Sequence, residues 1–142
     1  MDSPRHSPLA VASLSHHEAS AAELEGARFP DEGAFLASAR EHFRGVLILQ
    51  TCNRVEILVQ GTGPGLSGFL ASLGRRDFRI CEGTGVLEHL LNLAAGIDSM
   101  IVGEDQILGQ MKAALARAKE AGASTNLLET CVEKAVHVGI QV

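Results

Sequence analysis

Two strand-like runs lie almost end to end in this chain. Residues 45–51 carry the apolar stretch Val46-Leu47-Ile48-Leu49, and residues 54–60 alternate from Val55 to Val59. Only Cys52 and Asn53 separate them. Two β-type runs joined by so short a link predict antiparallel strands meeting at a tight connection. That connection carries a cysteine flanked by Thr51, Asn53 and Arg54. A cysteine kept for packing more often sits among apolar neighbours. One at a strand end beside a guanidinium has the setting of a reactive thiol, because positive charge favours the nucleophilic thiolate.

The flanking segments extend this hairpin into a fold. Leu9 to Ser15 reads as a short strand, Glu18 to Ala27 as a helix that Ser20 helps to start, and Ala34 to His42 as a second helix. After the two central strands come a Gly-rich loop (61–65), a helix over 66–73 and a strand over 77–81. The order β-α-β-β-α-β predicts an α+β fold, a ferredoxin-like split βαβ antiparallel sheet with helices on one face. A helical subdomain follows. Apolar positions recur at helical spacing over 85–95 and 103–121. Glu104 and Asp105 fall in the first turn of the second of these, and Gly122 ends it. Asn126 with Glu129 resembles a capping box for a last helix, which carries Cys131 on its apolar stripe.

Composition narrows the function classes. The 142 residues suit one domain, with 46% hydrophobic and 20% charged side chains. No apolar run approaches the roughly 20 residues of a membrane span, and the polar, Pro-containing start is not a signal peptide. Residues 1–7 are expected to be disordered, and 8–142 to form the domain. The net charge of -5 argues against nucleic-acid binding by bulk electrostatics, although Arg75, Arg76 and Arg79 cluster locally. Three widely spaced cysteines exclude a fully paired disulfide framework and point to a reducing cytoplasm. No Cys/His set has zinc-like spacing, and the adjacent His16 and His17 point different ways. No metal is expected.

Two constellations could carry chemistry. In Thr51-Cys52-Asn53-Arg54 a thiolate can attack an acyl carbon and form a thioester. Arg54 can favour the thiolate and pair with a carboxylate, while Thr51 and Asn53 offer hydrogen bonds to a substrate. The same residue types also suit an ordinary strand turn. The second is the run from Gly96 to Gln110. Ser99, Glu104, Asp105, Gln106 and Gln110 gather at a helix–helix junction, with Gln106 and Gln110 on one face. Ser99, Gln106 and Gln110 could clamp a zwitterionic amino acid, with Glu104 taking the ammonium, or the run could simply form a well-capped polar helix start. His89, in the preceding helix, is either a structural histidine or a general acid/base group. Gly63-Pro64-Gly65-Leu66-Ser67-Gly68 matches G-x-G-x-x-G, but it follows the second strand of a hairpin and Pro64 removes an amide. A plain loop explains it better than a dinucleotide site.

With those residues in view, the sequence resembles the N-terminal catalytic domain of the glutamyl-tRNA reductases. The resemblance lies in Thr51-Cys52-Asn53-Arg54-Val55-Glu56 and in the segment from His89-Leu90 through Gly96-Ile97-Asp98-Ser99-Met100 to Gly103-Glu104-Asp105-Gln106-Ile107-Leu108-Gly109-Gln110-Met111-Lys112. A weaker match is Leu14-Ser15-His16-His17-Glu18-Ala19. The resemblance implies that Cys52 attacks the glutamyl-tRNA ester. The resulting thioester is then reduced by NADPH hydride to glutamate-1-semialdehyde, the committed step of tetrapyrrole biosynthesis. Cys52 and His89 would be catalytic. Thr51, Asn53, Arg54, Ser99, Glu104, Asp105, Gln106 and Gln110 would bind substrate, with Arg54 on the glutamate side-chain carboxylate. NADPH would be bound by a domain that this chain lacks, and the family's helical dimerisation domain would be lacking too. A homodimer and glutamate-1-semialdehyde aminomutase are the implied protein partners. The chain departs from the family at Asp105, where Pro is common, at His17-Glu18-Ala19-Ser20, and after His137. The competing readings are a non-catalytic ferredoxin-like binding module and a cysteine acyl-transfer or hydrolytic enzyme acting on another aminoacyl ester.

Overall fold

The computed structural model describes residues 8–96 and 106–140. Strands β1 (Ala10–Ser15), β2 (Gly45–Thr51), β3 (Arg54–Gln60) and β4 (Arg79–Glu82) form one antiparallel sheet in the order β2-β3-β1-β4. This is the expected split βαβ arrangement. Helices α1 (Ala21–Gly26), α2 (Glu32–Ala39) and α3 (Gly63–Ser72) lie among the strands in sequence, and α4 (Thr84–Ala94), α5 (Ile107–Glu120) and α6 (Asn126–Ile140) follow them.

The sheet is covered on both faces, which the ferredoxin-like pattern alone does not require. Ala10, Ala12, Val46, Ile48, Ile57 and Val59 pack with Phe35, Leu66 and Phe69 of α2 and α3. The alternate residues, Val11, Leu47, Leu49 and Leu58, pack with Val86, Leu90, Met111, Leu128 and Val132 of α4, α5 and α6. The helical subdomain is therefore a third layer rather than an appendage. Double coverage explains why β2 and β3 bury nearly every residue, as strands with two dry faces do.

Local signals place the ends. Ser20 and Glu23 form a capping box on α1. Asp31 caps α2, which therefore begins two residues before the expected Ala34, at Glu32. Thr62 caps α3 through the Gly65 amide, and Pro64 sits in the first turn, so this helix takes in the end of the Gly-rich loop. Gly122, at φ 68, ends α5 as expected. At α6 the expectation is corrected. The Thr125 hydroxyl, not Asn126, accepts from the Leu128 amide. Glu129 instead accepts from Ser124 Oγ.

The outer layer is fastened to the sheet by Leu128, which is fully buried where Gly45 begins β2; a side chain at Gly45 would meet Leu128 Cδ1 at 2.9 Å. Leu128→Ala should cost about 2–5 kcal/mol of unfolding free energy, from lost transfer and the cavity left behind. Val138→Ala, at a site 38% exposed, should stay within about 0.5 kcal/mol. Urea denaturation of both variants reads the difference.

Candidate active site

The site lies at one end of the sheet face covered by α4. The cross-strand register builds it in rows. Leu58 pairs with Val11 and Leu47, an apolar row in the middle of the face. The next row is Leu49, Glu56 and Ser13, and the last is Thr51, Arg54 and Ser15. The face thus turns polar toward the hairpin tip while staying buried; Arg54 is 2% exposed and Glu56 3%.

Burying those two charges requires partners, since several kcal/mol of desolvation per ion must be offset. Arg54 Nη1 donates to Glu56 Oε2 at 3.1 Å. Ser13 Oγ, directly opposite Glu56 in the register, donates to the same oxygen at 2.7 Å. The other carboxylate oxygen, Oε1, lies 2.7 Å from Nε2 of His89. His89 stands beside the buried stripe of Val86, Leu90 and Leu93 on α4, so the helix delivers its ring to the sheet. Burial pulls the His89 pKa down, but the hydrogen bond and negative charge of Glu56 outweigh it, with Arg79 and Arg54 opposing. The net shift is upward, which favours an imidazolium held against Glu56. Arg54 Nε is buried with no partner.

Cys52 is at the tip. Cys52 and Asn53 form the two-residue turn between β2 and β3, and Cys52 is exposed with its thiol unbridged. The Asn53 amide donates to Thr51 Oγ1 at 3.2 Å, and the His16 amide donates to Asn53 O at 2.9 Å. Thr51 therefore spends its hydroxyl partly on shaping the turn. Cys81 and Cys131 are half-buried, and burial pushes the Cys131 thiol up.

The structure thus brings Thr51, Cys52, Asn53, Arg54 and His89 to one end of the sheet. Arg54 is not simply a charge beside the thiol: one side of its fork is committed to Glu56. Gln106, exposed, stands just before α5 and the half-buried Gln110 lies one turn on. Ser99, Glu104 and Asp105 lie outside the described residues. Glu56 and Ser13 carry no role in the sequence reading. Glu56 sits two residues from Arg54 in an alternating strand, so both share a face, but only the third layer makes that face dry. At the Gly-rich loop, the Glu82 carboxylate accepts from the Gly63 amide at 2.8 Å and fills the start of α3, where a dinucleotide phosphate would sit. The loop does not fit that cofactor. Among the described residues no group of three side chains is placed to hold a metal, and no helix is long and apolar enough to cross a membrane.

An exposed cysteine on a two-residue turn thus lies beside a buried Arg–carboxylate–His network. Comparison with known proteins gives the family. The family model described as glutamyl-tRNAGlu reductase, N-terminal domain, matches residues 12–142, and the chain belongs to that family. It is 62% identical over 135 residues to a glutamyl-tRNA reductase of Methanoculleus marisnigri, covering 95% of this chain and 32% of the relative. It is 54% identical over 136 residues to that of Methanoregula boonei, covering 96% and 32%. The structure of glutamyl-tRNA reductase from Methanopyrus kandleri superposes with a TM-score of 0.84 at 33% identity, over 94% of this chain and 33% of that one. The chain spans about a third of the length of these relatives.

The network gives a pH prediction. Because the folded His89 pKa is raised, its contribution to stability is fully present below the unfolded value near 6.5 and is lost as pH rises through the folded value. Glu56→Gln removes the negative charge and leaves only a neutral amide to hydrogen-bond the ring, against burial that lowers the pKa. NMR titration should find His89 above 6.5 in the wild type and below it in Glu56→Gln. Stability measured upward from pH 6.5 should decline more steeply in the wild type.

Proposed function

We propose that this chain is the thioester-forming part of a glutamyl-tRNA reductase. The observation that carries the reading is the exposed Cys52 thiol on a fixed turn at the rim of the Arg54–Glu56–His89 network. The thiolate sulfur attacks the carbonyl carbon of the glutamyl ester. A C–S bond forms, the C–O bond to the ribose breaks, and the departing ribose oxygen takes a proton. An imidazolium at His89 supports a role as donor of that proton; with Nε2 committed to Glu56, the transfer would go through Nδ1. Arg54, whose Nε is otherwise an unsatisfied buried donor, receives the glutamate side-chain carboxylate. Asn53, Gln106 and Gln110, with Ser99, Glu104 and Asp105, hold the rest of the glutamyl group.

Reduction of the thioester to the aldehyde level needs a hydride from NADPH, whose site we place outside this chain, in the remaining two-thirds of the full-length relatives. A cytoplasmic homodimer, passing its semialdehyde to an aminomutase, is the setting this reading implies for the whole protein.

Limiting iodoacetamide followed by peptide mass analysis should label Cys52 ahead of Cys81 and Cys131. With glutamyl-tRNA and no reductant, the chain should form a thioester at Cys52 or release free glutamate, and Cys52→Ser should do neither. Preferential labelling of Cys81 or Cys131 would remove the nucleophile assignment and favour a non-catalytic module.

A further inference from the structure

The turn that carries Cys52 has an unusual shape for its length. Two-residue hairpin connections favour types I′ and II′, which need a positive φ and match the twist of the strands. Neither Cys52 nor Asn53 has a positive φ. A turn of the other hand tends to splay the strands it joins, so its geometry has to be held from outside.

The hold comes from the far side of the sheet. Arg28, between α1 and α2, extends Nη2 to the carbonyl oxygen of Thr51, the last backbone acceptor before Cys52. The neighbouring segment is fastened to the same strand end. The Phe29 amide donates to Gln50 Oε1 at 2.8 Å, and Gln50 Nε2 donates to Phe29 O at 2.9 Å and Glu32 Oε2 at 2.8 Å. Arg28 is itself braced. Its Nε lies 3.6 Å from Glu25 Oε1, its carbonyl accepts from Arg75 Nη2 at 3.0 Å, and the Arg75 guanidinium lies 4.8 Å from the Phe29 ring centroid. Two consecutive residues of β2, Gln50 and Thr51, are thus gripped from the α1–α2 side, while Asn53 is bonded to Thr51 and His16 on the other.

We infer that Arg28 is a positioning residue for the acyl transfer, fixing the place of the Cys52 thiol through the Thr51 carbonyl. The inference rests on the thioester reading above. A displacement of about 1 Å at a nucleophile can cost about 100-fold in rate. Arg28 touches neither substrate nor sulfur in this role; it acts on the backbone between them.

The test uses the 142-residue chain and a small probe, an activated α-aryl ester of glutamate. Transfer forms the Cys52 thioester and releases the phenol, which is followed by absorbance. Arg28→Met keeps the aliphatic stem and removes the donor. Arg28→Gln is too short to reach Thr51 O, and Arg28→Lys restores one donor. Met and Gln should lower the transfer rate at saturating ester by roughly 100-fold with KM within about twofold, and Lys should recover to within about tenfold of wild type. Iodoacetamide, which needs no fixed approach, should still label Cys52 at the wild-type rate in all three. Should Arg28→Met not fold, Arg28→Gln reads the same split. Wild-type transfer in Gln overturns the inference, and so does a parallel fall in transfer, labelling and melting temperature, which would make Arg28 merely structural. Cys52→Ser separates the two levels: transfer that persists in it defeats the thioester reading itself, whatever Arg28 does.

Discussion

The structure depends on one buried carboxylate. Glu56 draws a hydrogen bond from Ser13 on β1, an ion pair from Arg54 on its own strand, and the His89 ring from α4. Left alone, such a charge would cost several kcal/mol to bury. With three donors it becomes a joint between the central sheet and the first helix of the outer layer. The joint is also directional. Hydrophobic contacts hold α4 against the sheet, but they are tolerant of sliding. The 2.7 Å contact at His89 fixes where along the sheet the helix stops.

That stop also sets the surroundings of Arg54 near the hairpin tip. Arg54 has one nitrogen fixed on Glu56 and another, Nε, buried without a partner. In the proposed function a fork half used for structure suits a substrate carboxylate, because its orientation is already fixed before binding. His89 follows the same logic: the carboxylate that locates the ring also biases it toward the charged form. In the proposed function stability and reactivity draw on the same contacts, so substitutions in the network should disturb both. Removing Glu56 leaves Arg54 buried and uncompensated.

Much of this was legible in the sequence. The expected strands 45–51 and 54–60 are β2 and β3, because their apolar content and the two-residue link leave little choice. The order of elements gave the sheet topology. The covering of both faces was less visible, since helical periodicity marks an apolar stripe but not its destination. For the same reason the sequence presented Arg54 as a charge beside the thiol. Its burial depends on α4 and on Glu56, which only the folded register sets opposite Ser13. Arg28 was invisible for a different reason. It acts through a backbone carbonyl, so no side-chain motif records its partner, and 23 residues separate the two ends of the contact.

The two arginines near Cys52 divide the work by layer. Arg54 belongs to the sheet and faces α4, where the dry network holds it. Arg28 comes from the α1–α2 side and meets the peptide backbone at Thr51. A thiol on a two-residue turn has few atoms of its own to fix it, and in the proposed function it must stay exposed to meet a bulky ester. Packing cannot supply both requirements, because contacts that immobilise a small side chain also cover it. Hydrogen bonds to the backbone on either side of the cysteine meet both. They restrict the turn while leaving the sulfur open, and they tie it to the ends of the two strands it joins.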